Sequence, residues 1–390
     1  MGMKKIFAII LFAVLSTSAF AQIEENMYQT GHTLKSENTG NLTFELDNLS
    51  FFKNNEWKGN FAKGYTLPGI WLQPKFTYQP LENIKLEVGA HGLFYWGAGE
   101  TAHVRPFIRA QVELLKGFNV VMGSIYGASN HKYNNALYNT ELNLTADPQM
   151  GIQLLYDSER FSADGWVDWN NYIFPGDDEQ EIFYAGVSTK GWVTNKDSKF
   201  QMNIPIQVVF RHQGGEIDSV RAGIQTWLNA GTGISGSYQV SDTKFFRKIS
   251  AEVMGFYFKQ CAGEVLPVET GYGVNAWVAA EMKMLQVKAG YWWGKDFVSI
   301  LGSPFFSCVS SCDPGFVYQS PSMLYAHVEF NKNFGKICSV GAEVDAFYHL
   351  SSKGNYIYSS ALPEPQKSAC SIAFGVYIRL NPSFLLKKFK

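Results

Sequence analysis

Ile84-Lys85-Leu86-Glu87-Val88-Gly89-Ala90-His91-Gly92-Leu93-Phe94-Tyr95-Trp96 decides how the chain is read. Ile84, Leu86, Val88, Ala90, Phe94 and Trp96 fall on one side of an extended strand, and Lys85, Glu87, Gly89, His91 and Tyr95 on the other. Successive strand residues point to opposite faces, so this sheet meets two different solvents. This stretch is the best of eight or more segments that alternate in this way for about ten residues, the span of a tilted membrane strand. In an exported chain the natural pair of solvents is lipid outside and water inside a closed barrel.

Export is read from the start of the chain. Lys4 and Lys5 precede the apolar run Ile6–Leu15, and Ser18-Ala19-Phe20-Ala21 supplies small residues for cleavage before Gln22. This is the pattern of a secretory signal. Gln22 is not a cysteine, so a lipoprotein anchor is not expected. Removing 21 of 390 residues leaves 369, and 31 basic against 34 acidic side chains gives a net charge of −3. That balance excludes a basic nucleic-acid face. No later apolar run is long enough for a membrane helix. Phe, Tyr and Trp total 30 + 20 + 10 = 60 residues, which suits the aromatic girdles of a membrane barrel.

The pattern predicts sixteen antiparallel strands, with fourteen to eighteen left open, closed as an up-and-down barrel over residues 41–380. Residues 22–40 form a short N-terminal segment, and 381–390 a basic tail. Rising strands start near Leu42, Ile84, Phe118, Phe161, Phe200, Ile249, Leu285 and Ile337. Falling strands start near Ile70, Val104, Met150, Glu181, Val220, Val274, Met323 and Ala369. Links such as Lys116–Gly117 and Met284–Leu285 are short, whereas Gly127–Gln149, Ser299–Ser322 and Ser351–Ser368 are long. Outer-membrane barrels show this asymmetry, short turns on the periplasmic side. Around Met284 the apolar parity flips, from Val274, Ala276, Val278 and Ala280 to Leu285, Val287, Ala289 and Tyr291, as a tight hairpin requires. Turning the strands over would put Lys85, Glu87, Glu281, Lys283, Glu343 and Asp345 into lipid, at about 2–4 kcal/mol for each Lys or Arg at the midplane. A large soluble β-sandwich is the competing architecture. The strand from Ile249 and the Gly-rich stretch Val220–Val240 are the weakest parts of the pattern.

By parity the lumen holds Lys85, Glu87, His91, Arg109, Glu113, Asp164, Asp168, Gln207, Arg211, Glu281, Lys283, Lys288, His327, Glu329, Glu343, Asp345 and Arg379. Charges of both signs on a wet wall suit a weakly selective pore, and equally a wall whose charges only neutralise one another. Arg211, His212, Glu216 and Asp218 cluster at one strand end beside Gly214-Gly215, either as a polar site at the mouth or as a solvated turn. Asp177, Asp178 and Glu179 form an acidic loop without the spacing of a calcium loop. Trp166 is expected to face the lumen and Trp169 the lipid. Ser129-Asn130-His131 is the only local Ser–His combination, and no acidic partner can be assigned to it from sequence. No metal or cofactor is implied. Of five cysteines, Cys308 and Cys312 share one long loop and form the disulfide candidate, with Cys261, in another long loop, competing for either partner. Cys338 and Cys370 start strands at opposite ends of the barrel and are not expected to bond.

The order of several motifs resembles a family of porin-like outer-membrane barrels of Bacteroidota, largely uncharacterised. The resemblance rests on Gly64-Tyr65-Thr66-Leu67-Pro68-Gly69, Trp166-Val167-Asp168-Trp169 with Glu181-Ile182-Phe183, Pro205-Ile206-Gln207, Arg211-His212-Gln213-Gly214-Gly215, and Gln225-Thr226 with Leu228-Asn229-Ala230-Gly231. It spans residues 41–240 and implies a barrel in the outer membrane of a Gram-negative cell, with no catalytic residues to carry over. The last strand, Ser371–Leu380, is similar to the signal read by the barrel-insertion machinery.

The sequence therefore leads to a non-enzymatic outer-membrane channel passing small polar solutes. Its expected partners are outer-membrane lipid, the insertion machinery, those solutes and further copies of itself in a homo-oligomer, with no nucleic acid. A surface adhesive or structural barrel plugged by its loops is the alternative, and a lipid- or glycan-modifying enzyme a third. Inward folding of Ser299–Ser322 would weigh most against an open channel, because it would seal the lumen.

Overall fold

The computed structural model describes residues 28, 30–99, 103–215, 217–220, 222–241, 245–335, 337–359 and 362–389. The expected signal segment, residues 1–21, lies outside them. Numbered in chain order, the strands begin with β1 (Asn41–Glu56), β2 (Thr66–Leu81), β3 (Ile84–Tyr95), β4 (His103–Leu115), β5 (Phe118–Ser124), β6 (Met150–Asp157), β7 (Phe161–Asn171) and β8 (Ile182–Trp192). They continue with β9 (Phe200–Gln213), β10 (Gln225–Gln239), β11 (Phe246–Ala262), β12 (Thr270–Met282), β13 (Leu285–Lys295), β14 (Phe316–Gln319) and β15 (Ser322–Phe334). The last are β16 (Cys338–His349), β17 (Ser352–Tyr356), β18 (Glu364–Gln366), β19 (Ala369–Leu380) and β20 (Ser383–Lys388).

Each wall strand pairs antiparallel with its neighbours, and β19 pairs with both β16 and β1, so the wall closes as a sixteen-stranded barrel. Strands β14, β17 and β18 form a separate small sheet on the long-loop side. Closure leaves no sheet edge in the wall, the condition for β-structure in hydrocarbon. The outward residues are apolar and exposed, as Val88, Ile108, Val253, Val278 and Val376 illustrate. Opposite Val88 in the pleat, Glu87 is only 2% exposed.

The seam departs from the expectation of a loose basic tail. Asn48–Glu56 of β1 pair with β19, and Asn41–Glu45 pair with β20. Pro382, which has no N–H to give a ladder, marks the break between the two. The closing position is therefore one strand in two pieces.

The lumen is not an open water column. The loop at 125–149 enters from the long-loop side, and Asn134 ties it to three wall strands. Its backbone N–H donates to Gln207 Oε1 at 2.9 Å, its Nδ2 to Glu252 Oε1 at 3.0 Å, and its Oδ1 accepts from Asn275 Nδ2 at 3.1 Å. The loop at 296–321 folds in beside it. Asn229 grips this loop, donating to Val298 O at 2.8 Å and accepting from the Ile300 N–H at 2.8 Å. Phe297, Phe305 and Phe306 bury against Trp292, Phe256 and Met254 of the wall. From the other side the N-terminal segment lies along the wall, where His32 O accepts from Gln111 Nε2 at 2.7 Å. This explains the poorly patterned β11. Its inward residues Met254, Phe256 and Phe258 are apolar because they face the inserted loop, so both faces of the strand are apolar. The glycines of β10 are packing positions as much as bends: a Cβ on Gly231 would stand 2.6 Å from the Phe256 ring.

Candidate functional site

Three polar clusters occupy the barrel interior. In the first, Glu87 on β3 receives Lys75 at 3.0 Å, Arg109 at 2.9 Å and Lys85 at 3.7 Å. Arg109 also donates to the carbonyls of Ser124 at 2.5 Å and Ile125 at 3.1 Å, and its guanidinium lies 3.8 Å from the Tyr126 ring centroid. Lys85 donates to Tyr126 Oη at 2.7 Å. Such fully partnered groups hold a wall and a loop together.

The second cluster gathers around His131. Its Nδ1 stands 2.7 Å from Asp164, its Nε2 stands 3.0 Å from Gln149 Oε1, and its ring stacks on Trp166. Ser129 Oγ accepts from Asn143 Nδ2 at 2.7 Å instead of meeting the imidazole. Asp164 is the acidic partner the sequence could not assign. With both ring nitrogens engaged and the ring buried, His131 fastens the loop and is not placed to activate Ser129.

The third cluster joins β1, β15, β16 and the inserted loop. Lys53 reaches Glu343 at 2.7 Å, Glu141 at 3.7 Å and Asp345 at 3.8 Å. His327 Nδ1 stands 2.7 Å from Asp345, and its Nε2 3.8 Å from Glu329. Tyr377 donates to Glu343, and Tyr65 to Glu141. Burial raises the Glu141 carboxyl above its ordinary value, against the pull of Lys53 and of the Asn55 hydrogen bond. A cavity of about 80 Å³ opens here and one of about 180 Å³ beside it, with Lys288, Tyr325 and His327 lining both.

The other expected lumen residues spread around the wall. His91 meets Gln73 at 3.4 Å, Asp168 accepts from the Met150 N–H, and Gln207 holds the loop through Asn134 and Lys132. Arg211 lies over Trp227, Glu281 meets Lys248 at 2.9 Å, and Arg379 pairs with Asp47 at 2.8 Å. Glu113 accepts from the Gly117 N–H at a short turn. Lys283 falls in the turn between β12 and β13, past the end of β12, and is not a wall residue. Glu216 lies outside the described residues, and Asp218 accepts from Gln180 at 2.7 Å. Asp177 and Glu179 of the acidic loop accept from the Phe174 N–H and Asn171 Nδ2.

The expected Cys308–Cys312 bridge is not formed: both are free thiols. Cys308 is buried in the inserted loop, its thiol pushed up to about 12 by desolvation, while Cys312 Sγ stands 3.5 Å from Asn60 O. The loop spends its length on filling the lumen, which separates the environments of the two sulfurs. Cys338 pairs in register with Leu380, and Cys370 with Tyr348, at opposite ends of the β16–β19 ladder.

Two polar patches interrupt the outward apolar wall at its long-loop rim. On β1 and β2, Asn54 and Thr66 are directly opposed. Thr66 Oγ1 donates to Asn54 Oδ1 at 2.6 Å, and Asn54 Nδ2 to Glu56 Oε1 at 3.0 Å. On β9 and β10, His212 Nδ1 meets Thr226 Oγ1 at 2.9 Å beside Phe183. Parity places His212 with Ile204, Ile206 and Phe210 on the lipid-facing side. Sequence reasoning treated His212 only as part of a mouth cluster and overlooked the first patch. The signal available was a polar residue at an outward parity position on each of two neighbouring strands.

A model of the family described as "Lipid A 3'-O-deacylase-type" matches residues 34–389. No curated protein matches. Among solved structures, Acinetobacter baumannii OccAB2 is 10% identical with TM-score 0.51, covering 90% of this chain and 100% of that one. The Pseudomonas aeruginosa outer membrane protein OprD is 10% identical with TM-score 0.49, over 90% and 96% of the two chains. In-vitro folded OmpT, an outer membrane protein of Vibrio cholerae, is 13% identical with TM-score 0.48, over 90% and 100%. The likeness to OccAB2 shows the fold, an outer-membrane type of barrel. The family match corrects the expectation that the chain is not an enzyme, because the family it names is one of deacylases.

Proposed function

Because the chain belongs to the lipid A 3'-O-deacylase-type family, we propose that it is an ester hydrolase of the outer membrane, cleaving an acyl chain from an acylated glycolipid of the outer leaflet. The family match over residues 34–389 is the observation that carries this reading. Its source, the outer membrane of a Bacteroidota cell, rests on the motifs of the sequence.

An ester of an outer-leaflet lipid sits at the headgroup boundary, so the groups that act on it stand on the outward wall near the rim. The Glu56–Asn54–Thr66 patch fits that place. Glu56 is a carboxylate able to take a proton from water as it attacks the acyl carbonyl. The second Nδ2 proton of Asn54 is a donor for the oxyanion that forms, and Thr66 steadies that amide by donating to its oxygen. Collapse of the tetrahedral adduct breaks the C–O bond to the sugar, releasing a fatty acid and a sugar hydroxyl that takes up a proton. Behind the patch, Asn55 and Tyr65 both donate to Glu141, which anchors this corner to the inserted loop.

The test is purified protein in detergent with 3'-O-acylated lipid A, followed by mass spectrometry of the remaining lipid. Wild type should release one acyl chain. E56Q should lower the rate about 100-fold or more, the size expected for a lost base, while H212Q should keep it. Activity lost in H212Q and kept in E56Q would move the chemistry to the His212–Thr226 patch, and an inert wild type would end the reading.

A channel for small polar solutes is the weaker second reading. The interior leaves a cavity of about 180 Å³ beside one of about 80 Å³, between loops that are hydrogen-bonded to the wall.

A further inference from the structure

We propose that the luminal cavity between β1, β15 and β16 binds one zinc-type divalent ion through His327 and Glu329, with water completing its shell. The proposal is independent of the ester chemistry. It gives the barrel a metal site on the inner face of its wall, beside the loop that carries Glu141.

Orientation of the imidazole is the first argument. Asp345 Oδ1 stands 2.7 Å from His327 Nδ1, which leaves Nε2 for a ligand. A carboxylate holding the far nitrogen is the usual setting of a metal-binding histidine. His327 Nε2 is 3.8 Å from Glu329 Oε2. Two ligands of one tetrahedral zinc, each bonded at about 2.0–2.2 Å, lie about 3.3 Å apart, so a shift of about half an ångström brings both onto one ion. Ligand atoms of His327, Glu343 and Asp345 lie within 4.8 Å of one another, so the imidazole sits among carboxylates.

Charge is the second argument. Glu141, Glu329, Glu343 and Asp345 all line the same cavity of about 80 Å³, against Lys53, Lys288 and His327. Four carboxylates face two ammonium groups and one imidazole, so the lining is acidic on balance. Buried charge without a counter-ion is costly. Lys53 covers the Glu343 and Asp345 end at 2.7 and 3.8 Å.

The third argument is an oxygen without a donor. Asn55 is 2% exposed and lines this cavity, its Nδ2 donates to Glu141, and its Oδ1 has no hydrogen-bond partner. A carboxamide oxygen in that position accepts from a metal-bound water.

Full-length protein, purified in detergent with chelator and then freed of it, is titrated with zinc chloride by calorimetry. Wild type should bind one equivalent that H327A and E329Q lack, and D345N should bind about 10–100-fold more weakly, because Asp345 positions the imidazole. Heat-modified gel mobility checks that each variant is folded, and E329Q serves as the conservative change if H327A is not. No zinc bound by wild type overturns the proposal, as does equal binding by folded E329Q. Calcium or magnesium bound in place of zinc overturns it too.

Discussion

Two faces of the lumen solve the burial of charge in opposite ways. Across β2–β4, Lys75, Lys85 and Arg109 outnumber Glu87 and the more distant Glu45. Across β1, β13, β15, β16 and the loop at 125–149, four carboxylates outnumber two ammonium groups. The cation-rich face is saturated by neutral partners, since Arg109 spends its donors on two backbone carbonyls and lies over Phe107 and Tyr126. The acidic face has fewer neutral donors to draw on, chiefly Tyr65, Tyr377 and Asn55, and its orphan atom is an acceptor, Asn55 Oδ1, whereas the cavity of about 110 Å³ beside Arg109 holds the orphan Nε2 of His91. Aromatic faces and carbonyls can absorb surplus positive charge, whereas surplus negative charge needs N–H and O–H groups in the right places.

The difference is broken most directly by removing one carboxylate from each face. E87Q leaves three buried cations short of their common anion and should destabilise by about 3–5 kcal/mol, the cost of breaking a buried pair. E329Q in metal-free protein relieves repulsion and should leave stability unchanged or raise it. Urea midpoints of the heat-modifiable band measure both, and equal losses would erase the contrast. A smaller effect concerns the loop between the faces. N134A removes the side-chain hydrogen bonds to Glu252, Asn275 and the Ala136 N–H, keeps the backbone bond to Gln207, and should loosen the loop by about 1–3 kcal/mol. Current steps in planar bilayers, rare for wild type, should become frequent. The smallest effect is a pH slope. Glu141 has a raised carboxyl value in the fold, so the folded chain binds more protons than the unfolded one. Its contribution is greatest below about pH 4.3, the free glutamate value, and is lost as pH rises through the raised one. Unfolding rates should therefore climb over that window in wild type and climb less steeply in E141Q.

Much of the wall was legible because a pleat reports its two solvents residue by residue. The predicted starts at Ile84, Phe118, Met150, Phe161, Phe200, Leu285 and Ala369 coincide with the strands. Legibility failed where one solvent was replaced by protein. Met254, Phe256 and Phe258 blur β11 because their partner is a loop distant in sequence, which periodicity cannot see. The inserted loop did carry a sign, in Tyr133, Ala136, Leu137 and Tyr138, apolar residues too concentrated for a solvated segment. Of the candidate site, parity found the inward charges but not their pairings. The rim patches were missed because each draws its residues from neighbouring strands.

The split seam has a consequence for assembly. Among the described residues β20 pairs with β1 alone, so its other side offers bare amides just beneath the bilayer. Lys387 and Lys388 stand at the end of that ribbon, where ammonium groups repel an intruding strand. The cylinder can thus be fastened by its upper segment first and have its hem stitched afterwards, with the proline as the knot between the two seams.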